Sequence, residues 1–311
     1  MLFVTLHGGK SGKKPLNNNV HAYDKDGNKI TPCVLEDTEA VVLDELRAIC
    51  HFGNYLYVVN ANQTQNSVLC YQGSATSYRF AGKFVSPETC TSLRHPFDFT
   101  FDGAGYCYIS SQDTNVVIRL VVSADGRIGT PAPLAAALPA QGKFLPGTFV
   151  PSSVGNLTSS TTPVSVPAGL EYSAEGEKKH SVRGVVWAND ALYVVDQPAC
   201  RIKVYDQNGR FLGQSNRVKE PVHLVVDNGS LYVSGGNEVL TAKLSKPAGD
   251  FTLSAIQGLQ IKNCGGMAFT SSGHCYIASR TENFILKFDA SFKPMKFKCT
   301  LPDNPEFLLH V

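Results

Sequence analysis

The sequence predicts an all-β fold, a six-bladed β-propeller whose N- and C-terminal strands share one blade. Three observations predict it. An apolar strand, a Gly/Asn/Asp turn, a strand resembling Leu-Tyr-Val, a polar loop and another apolar strand recur five times in full; a sixth copy is divided between the two ends of the chain; and the copies alternate apolar and polar residues at period two. One such hairpin unit cannot bury both of its faces. Neighbours must therefore stack radially until a ring closes.

The first full copy runs Leu46 to Phe52, turns at Gly53-Asn54, and continues Tyr55-Leu56-Tyr57-Val58-Val59 and Ser67 to Tyr71. The second has Pro96 to Phe101, a turn from Gly103 to Gly105, Cys107-Tyr108-Ile109 and Val116 to Leu120. The third has Val182 to Trp187, the turn Asn189-Asp190, Leu192-Tyr193-Val194-Val195-Asp196 and Arg201 to Asp206. The fourth is Pro221 to Val226, Asp227-Asn228-Gly229, Leu231-Tyr232-Val233 and Val239 to Ala242, and the fifth is Gly265 to Phe269, Ser271 to Gly273, Cys275 to Ala278 and Phe284 to Asp289. The turn residues supply the positive φ that a right-twisted hairpin needs. The sixth copy starts in mid-pattern, with Leu2-Phe3-Val4-Thr5 as second strand and Val20 to Asp24 as third, and finds its first strand in Pro305 to Val311. Pairing the two ends clamps the ring and removes its open edges.

One interval breaks the rhythm. The tyrosines of the Leu-Tyr-Val slot, at 57, 108, 193, 232 and 276, are spaced by 51, 85, 39 and 44 residues. The long gap holds a segment, 129–180, rich in Pro, Ala, Ser, Thr and Gly. It reads either as a degenerate seventh blade or as an insertion forming a lid over the top face. The absence of a Leu-Tyr-Val strand favours the lid, since long loops in compact domains tend to be functional. Residues 1–311 are otherwise expected to be one domain.

Composition narrows the function. With 43% apolar and 17% charged residues the chain can build a core, and a net charge of +2 without a long basic block predicts neither nucleic acid nor a membrane as partner. No run approaches the ~18 apolar residues of a spanning helix, and the N-terminus shows no export signal. Nine scattered cysteines without a C-x-x-C pair read as reduced thiols. The expectation is a cytoplasmic monomer.

The third and fourth copies, with Arg183-Gly184-Val185-Val186 before Leu192-Tyr193-Val194-Val195-Asp196 and Arg201-Ile202-Lys203-Val204-Tyr205-Asp206, resemble the NHL-type repeat of six-bladed propellers. The resemblance covers most of the chain. It is shared with streptogramin B lyases, strictosidine synthase-like proteins, peptide-amidating lyases and protein- or RNA-binding NHL domains, so it speaks for fold and leaves function to the site.

The propeller geometry that the resemblance implies places the starts of the first strands at one mouth of the central channel, on the face where the insertion emerges. Arg47, Phe97, Asp98, Arg183, His223, Gly265, Gly266 and Glu306 are then expected to converge there. Loops between second and third strands add His7, Lys10, Asn60, Asp113, Asp196, Glu238, Arg280 and Glu282. Arg47 and Arg183 offer rigid forks of donors for a carboxylate, carbonyl or phenolate, or else bridge blades by pairing with Asp98 or Glu306. His223 is read as a proton-transfer group or as a hydrogen-bonded channel residue. Glu306 is a carboxylate whose burial must be paired or used. Phe97, Asp98, Asn60, Asp196 and Arg280 are the expected substrate contacts, and Asp196 has a second reading as a tie between loops.

Motifs for a zinc protease, a Ser hydrolase elbow, a phosphate-binding loop or a dinucleotide fold are absent from the sequence. The eight histidines lie singly. Streptogramin lyases are understood to combine His and Glu with magnesium, including a Glu-x-His; this chain has no Glu-x-His, and only His223 matches in kind. No cofactor and no protein-held metal are therefore expected, with a channel ion such as Mg or Ca as the alternative. The resulting expectation is a cofactor-independent enzyme on a small organic molecule, a lyase or cyclase of secondary metabolism and less readily a hydrolase. A protein- or peptide-binding scaffold without catalysis is the alternative.

Overall fold

A computed structural model describes residues 1–8, 18–140, 142–153, 168–173, 180–259 and 261–311. Their strands form six sheets in a ring, and the described residues contain no helix. In chain order β1 (Leu2–Leu6), β2 (His21–Tyr23) and β3 (Lys29–Thr31) belong to the closing blade I. Blade II is β4 (Leu46–Phe52), β5 (Tyr55–Asn60), β6 (Ser67–Ser74) and β7 (Ser77–Val85). Blade III is β8 (Pro96–Phe101), β9 (Tyr106–Ser111) and β10 (Val116–Val122), whose outer edge pairs with both β11 (Gly129–Pro131) and β12 (Thr148–Val150). Blade IV is β13 (Val182–Ala188), β14 (Ala191–Asp196), β15 (Arg201–Tyr205) and β16 (Phe211–Gln214). Blade V is β17 (Pro221–Asp227), β18 (Ser230–Gly235), β19 (Glu238–Lys243) and β20 (Ser254–Ala255); blade VI is β21 (Cys264–Phe269), β22 (Cys275–Ser279), β23 (Phe284–Phe288) and β24 (Pro294–Thr300). β25 (Pro305–His310) returns to pair with β1 and becomes the inner strand of blade I.

The predicted closure is the observed one. Phe3 faces Leu309, Val4 faces Leu308, and the terminal backbones bond to each other, Met1 N to Val311 O at 2.7 Å and Val311 N to Met1 O at 2.9 Å. The inner strands then touch in cyclic order, β25, β4, β8, β13, β17, β21 and back to β25. Six sheets close the ring with β8 directly against β13, so among the described residues the long interval supplies no seventh blade. Its described ends do something the sequence pattern hides: β11 and β12 finish the outer edge of blade III, and Leu170 is buried where its backbone joins Pro151 and Ser153. Much of the segment read as a lid, residues 154–167 and 174–179, lies outside the described residues, as does Lys10.

The recurring Leu-Tyr-Val has a packing reason. Side chains alternate across a strand, so its tyrosine faces the next blade while the flanking residues face the previous one. Tyr57 packs on Phe101, Tyr108 stacks on Trp187 at 5.2 Å, Tyr232 meets Phe269 at 4.6 Å, and Tyr276 stacks on His310 at 6.0 Å. Each partner is on the inner strand of the following blade. Such ring pairs add roughly 0.5–1.5 kcal/mol beyond burial. The hairpins turn as their residues dictate: Asn189 and Asp190 sit at φ 50° and 61°, and Asn228 and Gly229 at 46° and 70°.

The axis is built by a second alternation. Near its start each inner strand shifts register against its second strand, so that two inner residues oppose one: Arg47-Ala48 oppose Val59, Phe97-Asp98 oppose Ser110, Arg183-Gly184 oppose Val195, Gly265-Gly266 oppose Ala278 and Glu306-Phe307 oppose Thr5, while Val222-His223 interrupt the pairing of Pro221 with Gly235 beside Ser234. The second residue of each pair faces the axis. Around the ring these read Phe307, Ala48, Asp98, Gly184, His223 and Gly266, large alternating with small. There is no room for six large groups. A Cβ on Gly266 would lie 2.6 Å from Phe307 Cα, and one on Gly184 3.1 Å from His223 Cα.

At the three large residues a second-strand hydroxyl satisfies the amide that the bulge frees. The Asp98 N–H donates to Ser110 Oγ, the His223 N–H to Ser234 Oγ and the Phe307 N–H to Thr5 Oγ1. Asp98 Oδ2 accepts from Val185 N at 3.0 Å and His223 Nδ1 from Met267 N at 3.2 Å, each reaching the bulge of the next blade. A buried amide left unpaired costs about 1–3 kcal/mol, so Asp98 and His223 knit neighbouring blades together.

Candidate functional site

The first residue of each bulge is aimed at the mouth instead of the axis. In ring order these are Glu306, Arg47, Phe97, Arg183, Val222 and Gly265, with Arg280 beside Gly265, where its side-chain carbons pack. Sequence reasoning placed Arg47, Phe97, Arg183, Arg280 and Glu306 at this mouth, and the structure brings them together. Phe97 forms the floor. Its ring packs against Phe307 at 5.3 Å, and the guanidiniums of Arg183 and Arg47 lie 5.1 and 5.8 Å from its centroid.

Glu306 is the buried counter-charge, 2% exposed. Oε1 receives Arg47 Nη1 at 2.7 Å and Arg280 Nη2 at 2.5 Å, and His7 Nδ1 faces it at 3.9 Å. Burial works against this carboxylate, yet Arg47, Arg280 and His7 together hold its pKa below the ordinary range. Burial, then Arg47, lowers the pKa of His7. The chain of charge continues outward: Arg47 Nη2 lies 4.0 Å from Glu45, Glu45 lies 3.5 Å from His95 Nε2, and His95 Nδ1 lies 3.4 Å from Asp113.

Arg183 is held differently. Nε donates to Gln197 Oε1 at 3.0 Å and Nη1 to Gln112 Oε1 at 2.7 Å, both neutral amides, and among the described residues it makes no ion pair. Burial, then the like charges of Arg47 and Arg280, lowers its pKa to about 10. Beside it opens a cavity of about 400 Å³ between blades IV, V and VI, lined by Arg183, Arg280, Gln197, Glu220, Asn237 and Asn263, with His180 and Val222. That volume suits a small metabolite. Another cavity, about 370 Å³, lies at the opposite face among Phe52, Tyr55, Tyr57, Phe101 and Tyr106, where Asp125 is the sole charged lining residue among those described.

Glu220, Asn263, Asn237, Gln197 and His180 were not singled out from the sequence. Glu220 and Asn263 hold the position just before an inner strand, and both adopt left-handed backbone, φ 46° and 48°; Glu45 and His95 do the same in blades II and III, at 49° and 52°. Non-glycine residues pay about 1–3 kcal/mol for such strain, which concentrates at functional sites. The one sequence signal was Glu220-Pro221 and His95-Pro96, where a polar residue precedes the proline that opens a strand.

The remaining expected contacts are occupied within the frame. Asn60 clamps the loop before blade II, accepting from Asp44 N and donating to Val42 O. Asp196 accepts from Glu171 N at 3.0 Å and pairs with Lys203 Nζ at 2.8 Å, and Lys203 also donates to Gly169 O, so the group ties the returning insertion to blade IV. Burial outweighs Lys203 and raises the Asp196 pKa. Asp98 and His223 face the axis as bulge caps. Burial raises the Asp98 pKa to about 7 and lowers that of His223 to about 3, and the His223 ring stands edge-on to Phe307 at 4.8 Å. Among the described residues no three His, Cys, Asp or Glu side chains gather as a metal site. No described helix is long and apolar enough to cross a membrane.

No family model matches the chain, and no curated protein matches it by sequence. Many solved structures share its fold. A chain of a nidogen/laminin complex superposes with a TM-score of 0.59 at 10% identity, covering 99% of this chain and 96% of that one. The periplasmic gluconolactonase of Pseudomonas aeruginosa matches with a TM-score of 0.58 at 14% identity, covering 99% and 97%. A Bacteroides fragilis protein described as a candidate 6-phosphogluconolactonase matches with 0.58 at 13%, covering 99% and 97%. At such identities the likeness establishes the six-bladed propeller and nothing of its chemistry.

Proposed function

We propose that the protein is a non-redox enzyme acting on a small carbonyl compound in the cavity between blades IV and VI, a lyase or cyclase in the spirit of the NHL-type lyases it resembles. The observation that carries this reading is the lining of that cavity: two guanidiniums, three side-chain amides and one carboxylate around about 400 Å³, with the Arg183 guanidinium held over the Phe97 ring. Fixed guanidiniums stabilise negative charge that develops on a carbonyl oxygen, and a preorganised donor of this kind is worth about 2.7–4 kcal/mol of barrier. Glu220 supplies the acid–base group, since its carboxylate is exposed and makes no ion pair or side-chain hydrogen bond among the described residues. Amides of Asn237 and Asn263 orient hydroxyl or carbonyl oxygens, while Gln197 is held between Arg183 Nε and Pro221 O and positions the guanidinium. His223 is left out of this acid–base set because its Nδ1 already accepts from Met267 N. Two propellers of like fold are described as lactonases, one certain and one candidate, so ring-opening hydrolysis is the neighbouring reaction to test.

The test is a panel of aldehydes, ketones and five- and six-membered lactones followed by NMR in D₂O, which reports exchange at the carbon beside a carbonyl as well as net conversion. Turnover by the native protein, cut at least ~100-fold in a folded Glu220→Gln variant, is the expected result. Equal rates for the two proteins, or no conversion or exchange across the panel, would remove the assignment.

A further inference from the structure

We infer that the cavity recognises an anionic substrate, a carboxylate or phosphate monoester, through Arg183. This rests on reading the cavity as a substrate pocket and adds the charge class that it selects. Three guanidiniums crowd the mouth, but their counter-charges are unevenly shared. Arg47 and Arg280 both hold Glu306, and Arg47 also approaches Glu45. Arg183 has neutral partners alone: Gln197 on Nε, Gln112 on Nη1 and the Phe97 ring on its face. Those three contacts fix the plane of the guanidinium and leave Nη2 with no protein acceptor among the described residues, in a side chain that lines the cavity.

Two carboxamides in place of two carboxylates make chemical sense. A glutamine accepts the donor and orients the fork without neutralising it, so the positive charge is preserved for a ligand. Burial, and after it the like charges of Arg47 and Arg280, weighs against the Arg183 cation more than the more distant Glu306 and Asp113 favour it, and no carboxylate among the described residues touches it. An anion entering the cavity relieves that repulsion and takes the remaining N–H groups. The amides of Asn237 and Asn263 suit the hydroxyls of a polyol attached to that anion.

Binding of inorganic phosphate and of D-gluconate is measured by calorimetry at constant ionic strength set with sodium chloride, with D-glucose as the uncharged control. The expected result is saturable binding of at least one anion and none of glucose at the same concentrations; phosphate alone indicates a phosphate ester, gluconate alone a sugar acid. Arg183→Gln is expected to weaken the anion at least about tenfold, the loss of roughly one charge-assisted hydrogen bond. Gln112→Glu guards against a folding failure of that variant: it keeps shape and hydrogen bond while giving Arg183 an internal counter-ion, and should weaken the anion as much. Saturable anion binding that Gln112→Glu leaves intact, or no anion binding beyond the chloride control, overturns the inference. Carbonyl turnover that depends on Glu220 while neither anion binds defeats this charge assignment and leaves the enzymatic reading standing.

Discussion

A single carboxylate, Glu306, answers for two arginines, Arg47 buried and Arg280 half-buried, so its loss should be felt out of proportion to one side chain. Breaking a buried pair by removing one partner typically costs about 3–5 kcal/mol because the other charge is left uncompensated. Glu306→Gln is expected to lower stability by that order in urea unfolding, whereas Glu45→Gln, at the looser 4.0 Å contact, should cost far less. Similar losses for both would mean that Glu306 is not the anchor. Two axial residues predict opposite pH dependence. His223 falls from 6.5 to about 3 in the fold, so its contribution is present above pH 6.5 and is lost as pH drops toward 3, where only the unfolded chain binds the proton. Asp98 rises from 3.8 to about 7, so its contribution is present below pH 3.8 and is lost as pH climbs toward 7. Each slope approaches about 1.4 kcal/mol per pH unit at most. His223→Gln should therefore flatten the decline on the acid side, and Asp98→Asn should flatten the decline between about pH 4 and 7. Unchanged slopes in urea midpoints across that range would show that neither group titrates differently on unfolding.

At the scale of strands, the alternation of large and small residues at the axis gives the sharpest mutational contrast. An added methyl at Gly266 meets backbone at 2.6 and 2.7 Å, on Phe307 and Glu306, and no side-chain rotation relieves it. Gly266→Ala is expected to cost about 1–3 kcal/mol or more by overpacking, and to push β21 away from β25; Gly249→Ala, with nothing within 4 Å, serves as the neutral control in thermal melts. This alternation was legible only in retrospect. Phe307, Ala48, Asp98, Gly184, His223 and Gly266 stand in the sequence in plain view, but they form a pattern only once the blades are aligned and each bulge is counted as two residues against one. The Leu-Tyr-Val tyrosines were readable at once, because an apolar period of two with a turn beside it has a single good packing solution. β11 and β12 were not, because three-residue edge strands containing Thr130, Pro131 and Thr148 carry no apolar alternation to detect.

At the scale of the ring, the sequence exposed the charges that converge and concealed the residues that surround them. Arg47, Arg183, Arg280 and Glu306 could be projected onto one mouth because they occupy repeat positions. Glu220 and Asn263 could not, since a polar residue before a strand reads as ordinary turn and its left-handed backbone is invisible in the letters. Asn60 and Asp196 had the right address, yet their hydrogen bonds go to neighbouring loops, because the buried end of a second strand must satisfy the backbone that crosses it. Closure is the property on which all of this depends, and it is testable without touching the site. Deleting Pro305 to Val311 removes the inner strand of blade I, with buried Phe307 and Leu308 worth about 1.5–3 kcal/mol each, and leaves the edge of β1 unpaired. The truncated chain should lose its cooperative melt. A circular permutant joining Val311 to Met1 through a few glycines and opening instead at the exposed Gly53-Asn54 turn keeps every inter-strand pair, because the two ends are already hydrogen-bonded to each other. It should melt cooperatively within a few degrees of the native protein and bind the same anion. A permutant that fails to fold, or a truncation that melts like the native chain, would mean that the joint between β25 and β1 is not what holds the ring together.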